Sequence, residues 1–279
     1  MQTGELRPLL FEKHSADIDL RSVAQRYADQ RIASAEAFCT GIIHAHPLSR
    51  LGGVTVRLDE DFCREVAVYY EYAPTLDLNG SLITAYDRLK RQTVQQYHAI
   101  VDGGIEVKPW RGAEQPYRDS RQLRDSVSRT RKLHVYLSSA GHGPAEPGFH
   151  PLREPSGVQV DGVEFCHNDL FRATHDIFGH VMFGNDFGPR GEFLAVFCQM
   201  HLYSLDAHHP LFTEQIGQIC WFYYGPHLMD STGRLPERGH PGYLPPRQRP
   251  YPEQKVFAFP QRFLDTFRDL FELERSPNG

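Results

Sequence analysis

The chain has 279 residues, 40% hydrophobic and 23% charged, a composition that suits one large globular domain or two small ones. A net charge of −5 with a pI near 6.3 argues against a nucleic-acid partner, which calls for a basic surface. The mean hydropathy is −0.48, no apolar run is long enough to cross a membrane, and no basic-then-apolar leader opens the chain, so a cytoplasmic protein without a membrane partner is expected.

In chain order, the first half (1–137) reads mostly helical. Leu82, Tyr86, Leu89, Thr93, Tyr97 and Ile100 form one stripe of an amphipathic helix, with a start signal at Asn79-Gly80-Ser81 and a stop at Gly103-Gly104. Residues 105–110 and 132–139 have the Val, Ile and Tyr enrichment of strands. The run between them, 117–132, holds six basic and two acidic residues and reads either as a solvated helix face or as an arginine wall for an anionic group. Two Gly/Pro-rich stretches, 138–157 and 231–255, read as long loops that cover a site between them. Phe263, Phe267, Leu270 and Phe271 place a stripe on a C-terminal helix over 256–274, which needs the core of the rest. The five cysteines (39, 63, 166, 198 and 220) form no C-x-x-C and read as reduced thiols. The expected fold is mainly α, one helical domain over 1–279 with a few short strands and metal-binding helices within 158–230.

The chemistry concentrates in Asn168-Asp169-Leu170-Phe171-Arg172-Ala173-Thr174-His175-Asp176-Ile177-Phe178-Gly179-His180. Asn168 or Asp169 suits a helix N-cap. His175 and His180 stand five apart, which on a regular helix turns them roughly 140° from each other. Gly179 tolerates a loosened, π-type turn, and such a turn brings the two imidazoles back toward one side. Two histidines so placed are candidate metal ligands. Two acids compete to complete the set. Glu192 begins the helix after a short loop from His180, close to the level of that histidine. Glu214 begins the next, returning helix, roughly 15 Å from that helix's far end. Glu192 is therefore the first choice and Glu214 the second, while His201 and Glu214 fall at similar heights and form a candidate pair or second metal site. Arg172 and Arg190 are candidates to hold a substrate carboxylate, and Asp176 to orient a ligand histidine or to activate a bound group.

The segment from His175 to Phe183 resembles the iron-binding signature of the pterin-dependent aromatic amino acid hydroxylases, H-[DE]-x-x-G-H followed by an apolar stretch. In that family both histidines bind one non-haem Fe(II), and a glutamate follows from a helix ending in W-[FY]-T-V-E-F-G. Here Trp221-Phe222-Tyr223-Tyr224-Gly225 stands at a comparable place but carries no carboxylate, so the third ligand has to come from elsewhere. The resemblance spans about residues 168–225. It implies Fe(II), O2, a small aromatic or amino-acid-like substrate, tetrahydropterin as electron donor, and an aromatic wall that includes Tyr224. The expected function is a non-haem Fe(II) monooxygenase with His175, His180 and Glu192 on the metal and Asp176, Arg172 and Tyr224 as catalytic residues. Two rivals stay open: a zinc hydrolase with Asp176 or Glu192 as general base, and a non-catalytic helical module with a structural metal or none.

Overall fold

Side-chain caps start the first helices of the described residues, 53–140 and 148–272 of the computed structural model. Asp59 accepts from the backbone N–H of Asp61 and Phe62 and opens α1 (Glu60–Tyr72). Asn79 accepts from Leu82 N–H at 2.9 Å and opens α2 (Gly80–Asp102), whose whole predicted stripe from Leu82 to Ile100 is buried. After β1 (Thr55–Val56) and these helices come β2 (Glu106–Trp110), α3 (Ser120–Thr130) and β3 (Lys132–Tyr136). The strands pair in parallel from Glu106↔Lys132 to Trp110↔Tyr136, which requires the α3 crossover between them.

The basic run on α3 is mostly a solvated face. Arg118, Arg121 and Arg129 are exposed, whereas Arg124 turns inward to Ser120 Oγ and the Gly184 carbonyl. Residues 158–166, expected within the helical region, are strand instead. β4 (Pro155–Val160) and β5 (Val163–Cys166) form an antiparallel hairpin whose Asp161-Gly162 turn has positive φ at both residues, as a two-residue type I′ connection demands. Alternating partly buried positions along β4 mark it as a strand in spite of its Pro and Gly content. The first predicted loop is shortened accordingly at Pro155, and its residues 141–147 lie outside the described part.

From β5 the chain enters α4 (His167–His175) and, without a break, a π-helical turn (Asp176–Val181). α5 (Pro189–Met200) follows, then α6 (His208–Leu211), a second π segment (Phe212–Gly217) and α7 (Gln218–Tyr224) as one continuous rod. The second predicted loop, 231–255, holds only turns and one short 3₁₀ segment. Its end is fastened by Lys255, whose Nζ donates to the carbonyls of Tyr70, Glu71 and Ala73 at the end of α1. The C-terminal helix, α8 (Gln261–Asp269), is shorter than expected. Val256 bridges to Leu76 in extended conformation, and Phe271 belongs to β6 (Phe271–Glu272), which pairs with β1. Its stripe packs as foreseen, with Phe263, Phe267 and Leu270 buried beside Phe193, Phe212 and Phe259. One hydrophobic cluster runs from Val54 to Leu270, so the fold is a mainly α single domain with a few short strands. Among the described residues no helix is long and apolar enough to cross a membrane, and the four described cysteines are free; Cys39 lies outside them.

Candidate metal centre

Three elements set the positions of the candidate ligands. The start of α4 is fixed by Asp169, which is the third helical residue and not the N-cap expected of it or of Asn168. Its carboxylate accepts from Cys166 N–H at 3.0 Å and from Ser138 N–H at 2.7 Å, while Asn168 donates to Ser138 Oγ. These bonds tie the helix to the turn after β3. At its other end the helix widens into the π turn, as the spacing of the histidines predicts.

Gly179 acts there by a different route from the one expected. Its φ is not positive and its backbone is helical. What it lacks is bulk: a Cβ would stand 3.0 Å from Ala195 Cβ and 3.3 Å from Ala195 O on α5. The glycine thus lets the helix that carries Glu192 press against the π turn that carries His180. Gly191 works the same way at the start of α5, where a Cβ would meet Asp186 O at 1.9 Å. The tight turn it permits delivers Glu192 to the first helical turn, close to His180.

The result is one cluster. His175 Nε2 lies 3.2 Å and His180 Nε2 3.4 Å from the same Glu192 Oε2. The two imidazoles meet edge to face with centroids 4.7 Å apart, and one ligand atom from each of the three residues falls within 4.8 Å of the others. Ligands bound at about 2.0–2.2 Å to a single cation stand about 3.0–3.5 Å apart, and the two separations from Glu192 Oε2, 3.2 and 3.4 Å, are of that size. His175, His180 and Glu192 can therefore hold a metal ion. Two neutral nitrogen donors and one carboxylate suit either Fe(II) or zinc, so the donor set alone does not name the metal.

The electrostatics favour the charged carboxylate. Burial alone would raise the Glu192 carboxyl, but His180 and His175, by charge and hydrogen bond, outweigh it and hold the group well below the usual carboxylate range. Burial pulls the His180 imidazole down, and Glu192 reverses this and leaves it raised. Each histidine is aimed through its other nitrogen. His180 Nδ1 donates to the Asn185 carbonyl at 3.1 Å, and Asn185 Nδ2 in turn donates to Gly179 O at 2.8 Å. His175 Nδ1 stands 2.9 Å from Gln199 Oε1 and 2.9 Å from Gln215 Nε2.

Asp176 is therefore not the residue that orients a ligand ring. It lines a cavity of about 320 Å³ beside the cluster, and burial raises its carboxyl. Arg172 lines the same cavity, one turn earlier on α4, and donates to Tyr136 O at 3.0 Å. Aromatic rings of Tyr117, Tyr136, Phe187 and Tyr251 complete much of the wall, and the Phe187 ring also meets His180 edge to face at 4.8 Å. Tyr251, Pro252 and Gln254 come from the second predicted loop, so that loop does cover the site. The described part of the first loop supplies His150 to another cluster. Arg190 is exposed and lines no part of this cavity.

Three expectations are corrected by the packing. Glu214 is turned away from the histidine pair: its Oε1 lies 2.5 Å from Tyr86 Oη and 3.0 Å from His150 Nε2, and its Oε2 accepts from Gln218. His201 is likewise not its partner, because Nδ1 of His201 donates to Phe197 O at 2.7 Å. Tyr224 is buried against α1, where its hydroxyl is raised by burial and by Cys63 and Glu60, and it takes no part in the cavity. Its neighbour Tyr223, pushed up to about 12 by burial and then by Glu192, is the one that feels the cluster. Trp221 also leaves the expected aromatic wall, donating to Glu71 and stacking on His227.

The residues that sequence reasoning missed are Gln199, Gln215, Asn185 and Phe187. Gln199 carried a readable signal, since it stands two helical turns after Glu192 on the same face of an otherwise apolar segment. Gln215 had none, because nothing local says that a π turn will point it at His175. Comparison of the chain with protein-family models, curated proteins and solved structures finds no match.

Proposed function

We propose that this chain is a non-haem Fe(II) oxygenase, a monooxygenase that hydroxylates a small aromatic or amino-acid-like substrate. The observation that carries the reading is the convergence of His175, His180 and Glu192 on one point beside a cavity lined by Arg172, Asp176 and aromatic rings. Two imidazoles and one carboxylate on one side of an iron leave its other positions open, and iron so held supplies oxygen activation.

The remaining residues bind and orient. Arg172, largely withdrawn from solvent, suits bidentate capture of a substrate carboxylate, and Asp176 one turn along suits a cationic or hydrogen-bond-donating group of the same molecule. The rings of Tyr136, Phe187 and Tyr251 offer faces for a planar substrate. The resemblance in the histidine segment names tetrahydropterin as reductant, and it is included in the test on that ground alone.

The test is elemental analysis of protein purified without a histidine tag, followed by oxygen uptake with aromatic amino acids and related acids, with and without tetrahydropterin. About one iron per chain and substrate-dependent oxygen uptake are the expected results. Zinc together with activity that persists without oxygen would replace this reading by a zinc hydrolase, to which the donor set and the position of Asp176 also lend themselves. No bound metal, with unfolding on alanine substitution at His175 or His180, would leave a non-catalytic module.

A further inference from the structure

A chain of buried hydrogen bonds runs behind His175, and its direction can be deduced. Thr174 Oγ1 donates to Phe171 O at 3.0 Å, so its only hydrogen is spent and it can only accept from other groups. Gln199 lies 3.3 Å from that oxygen through Nε2, which puts the amide nitrogen of Gln199 toward Thr174 and its Oε1 toward His175. Gln199 Oε1 is then the single acceptor in a triangle with His175 Nδ1 at 2.9 Å and Gln215 Nε2 at 3.0 Å. Gln215 Nε2 also stands 2.9 Å from His175 Nδ1, so the three polar atoms close a triangle behind the ring. Gln199 Oε1 is placed to accept a hydrogen from Nδ1, which leaves Nε2 as the ring atom that faces Glu192 and a metal.

The site is built for this purpose at some expense. Thr174, Gln199 and Gln215 are all buried, in a helical layer that is largely apolar. Gln215 Oε1 is buried without a hydrogen-bond partner, a cost that packing alone would not retain. Gln215 stands in the second π segment, next to Glu214, which faces the opposite way toward Tyr86 and His150. The π turn thus aims two consecutive polar side chains into two different clusters.

We propose that Gln199, braced by Gln215, is a positioning residue that fixes the tautomer and ring plane of His175 for metal binding, through a neutral amide in the place where metal-bound histidines often meet a carboxylate. The assignment rests on the metal-centre reading above, but part of its test does not. Each ligand histidine then faces an uncharged oxygen, Gln199 Oε1 or Asn185 O, so Glu192 is the only formal negative charge donated directly to the cation.

The test has two arms. In the first, long-range ¹H–¹⁵N NMR of the metal-free wild type, with His175 identified by its loss in His175→Gln, reads which ring nitrogen is protonated. A protonated Nδ1 is expected, and an unprotonated Nδ1 overturns the proposal whether or not any metal binds. In the second, Fe²⁺ and Zn²⁺ affinities are measured by chelator competition. Gln199→Leu should weaken binding about 10–100-fold, and Gln199→Glu, which restores an acceptor, should bind at least as tightly as wild type. A folded Gln199→Leu protein that binds as wild type does, with only its melting temperature lowered, would reduce Gln199 to packing. Should Gln199→Leu not fold, Gln199→Glu decides, because the stronger acceptor must move the His175 Nδ1–H resonance downfield, and an unmoved resonance rejects the clamp. A wild type that takes up no metal fails the functional reading, while the first arm still judges the tautomer.

Discussion

Glu192 Oε2 lies 3.4 Å from His180 Nε2 although a loop and the start of a new helix separate the two residues along the chain. The approach depends on two missing side chains: Gly179 admits α5 against the π turn, and Gly191 admits the carbonyl of Asp186 beneath Glu192. Steric room, more than unusual backbone angles, brings the acid to the histidines.

That arrangement separates the two candidate carboxylates by experiment. Glu192→Gln removes the charge and should abolish stoichiometric metal binding with little loss of secondary structure. Glu214→Gln should keep the metal and instead lower stability by about 1–3 kcal/mol, because Tyr86, His150 and Gln218 lose a charged acceptor in a buried place. Metal content and urea unfolding of both variants decide. The reverse pattern, metal lost with Glu214, would remove Glu192 from the centre.

Gly179→Ala tests the close approach. The added methyl meets Ala195 at 3.0–3.3 Å, so α5 or the π turn must yield by a few tenths of an ångström. We expect a destabilisation of about 1–3 kcal/mol, the usual cost of overpacking, with metal affinity at least tenfold weaker. Ala195→Gly in the same chain should recover much of both. Failure of the double substitution to recover affinity would show that the glycine serves some other need.

A buried histidine away from the site should govern acid stability. His208 donates through Nε2 to Met200 O at 3.0 Å and meets Arg268 through Nδ1 at 3.1 Å, so it is held neutral. Burial, and then Arg268, lowers it to about 3. The unfolded chain takes up this proton near pH 6.5, whereas the folded chain resists until about pH 3. Stability from this group is therefore full above pH 6.5 and declines as the pH falls toward 3, by roughly 3–5 kcal/mol in all. His208→Gln should flatten the decline between pH 6.5 and 4.5, as measured by urea unfolding. A slope identical to that of wild type would assign acid sensitivity elsewhere.

Lys255 is the anchor of the loop that walls the cavity. Its ammonium satisfies three carbonyls at the end of α1. Lys255→Met keeps the aliphatic stem and strands those carbonyls, so a loss of about 2–4 kcal/mol is expected. Limited proteolysis should then cut within 231–255 sooner than in wild type. Unchanged cleavage would mean that the loop is held chiefly by Tyr251 against Phe222 and by Arg249.

Much of this was written in local order. The α2 stripe, the paired strands around the basic helix, the aromatic stripe of α8 and the π-type spacing of His175 and His180 all follow from periodicity and from caps that act within a few residues. The choice of Glu192 was also accessible, because helix length and loop length limit which acid can reach His180. Other features depended on contacts between distant segments. That Asp169 braces Ser138 from the third helical position and is not itself the N-cap, that Tyr224 turns to α1 while Tyr223 feels Glu192, and that Gln199 and Gln215 meet behind His175 are consequences of how distant segments pack. A local pattern specifies which face of an element is apolar, but not which neighbour will cover it. The polar partners inside that cover are therefore settled only when the helices have closed on one another.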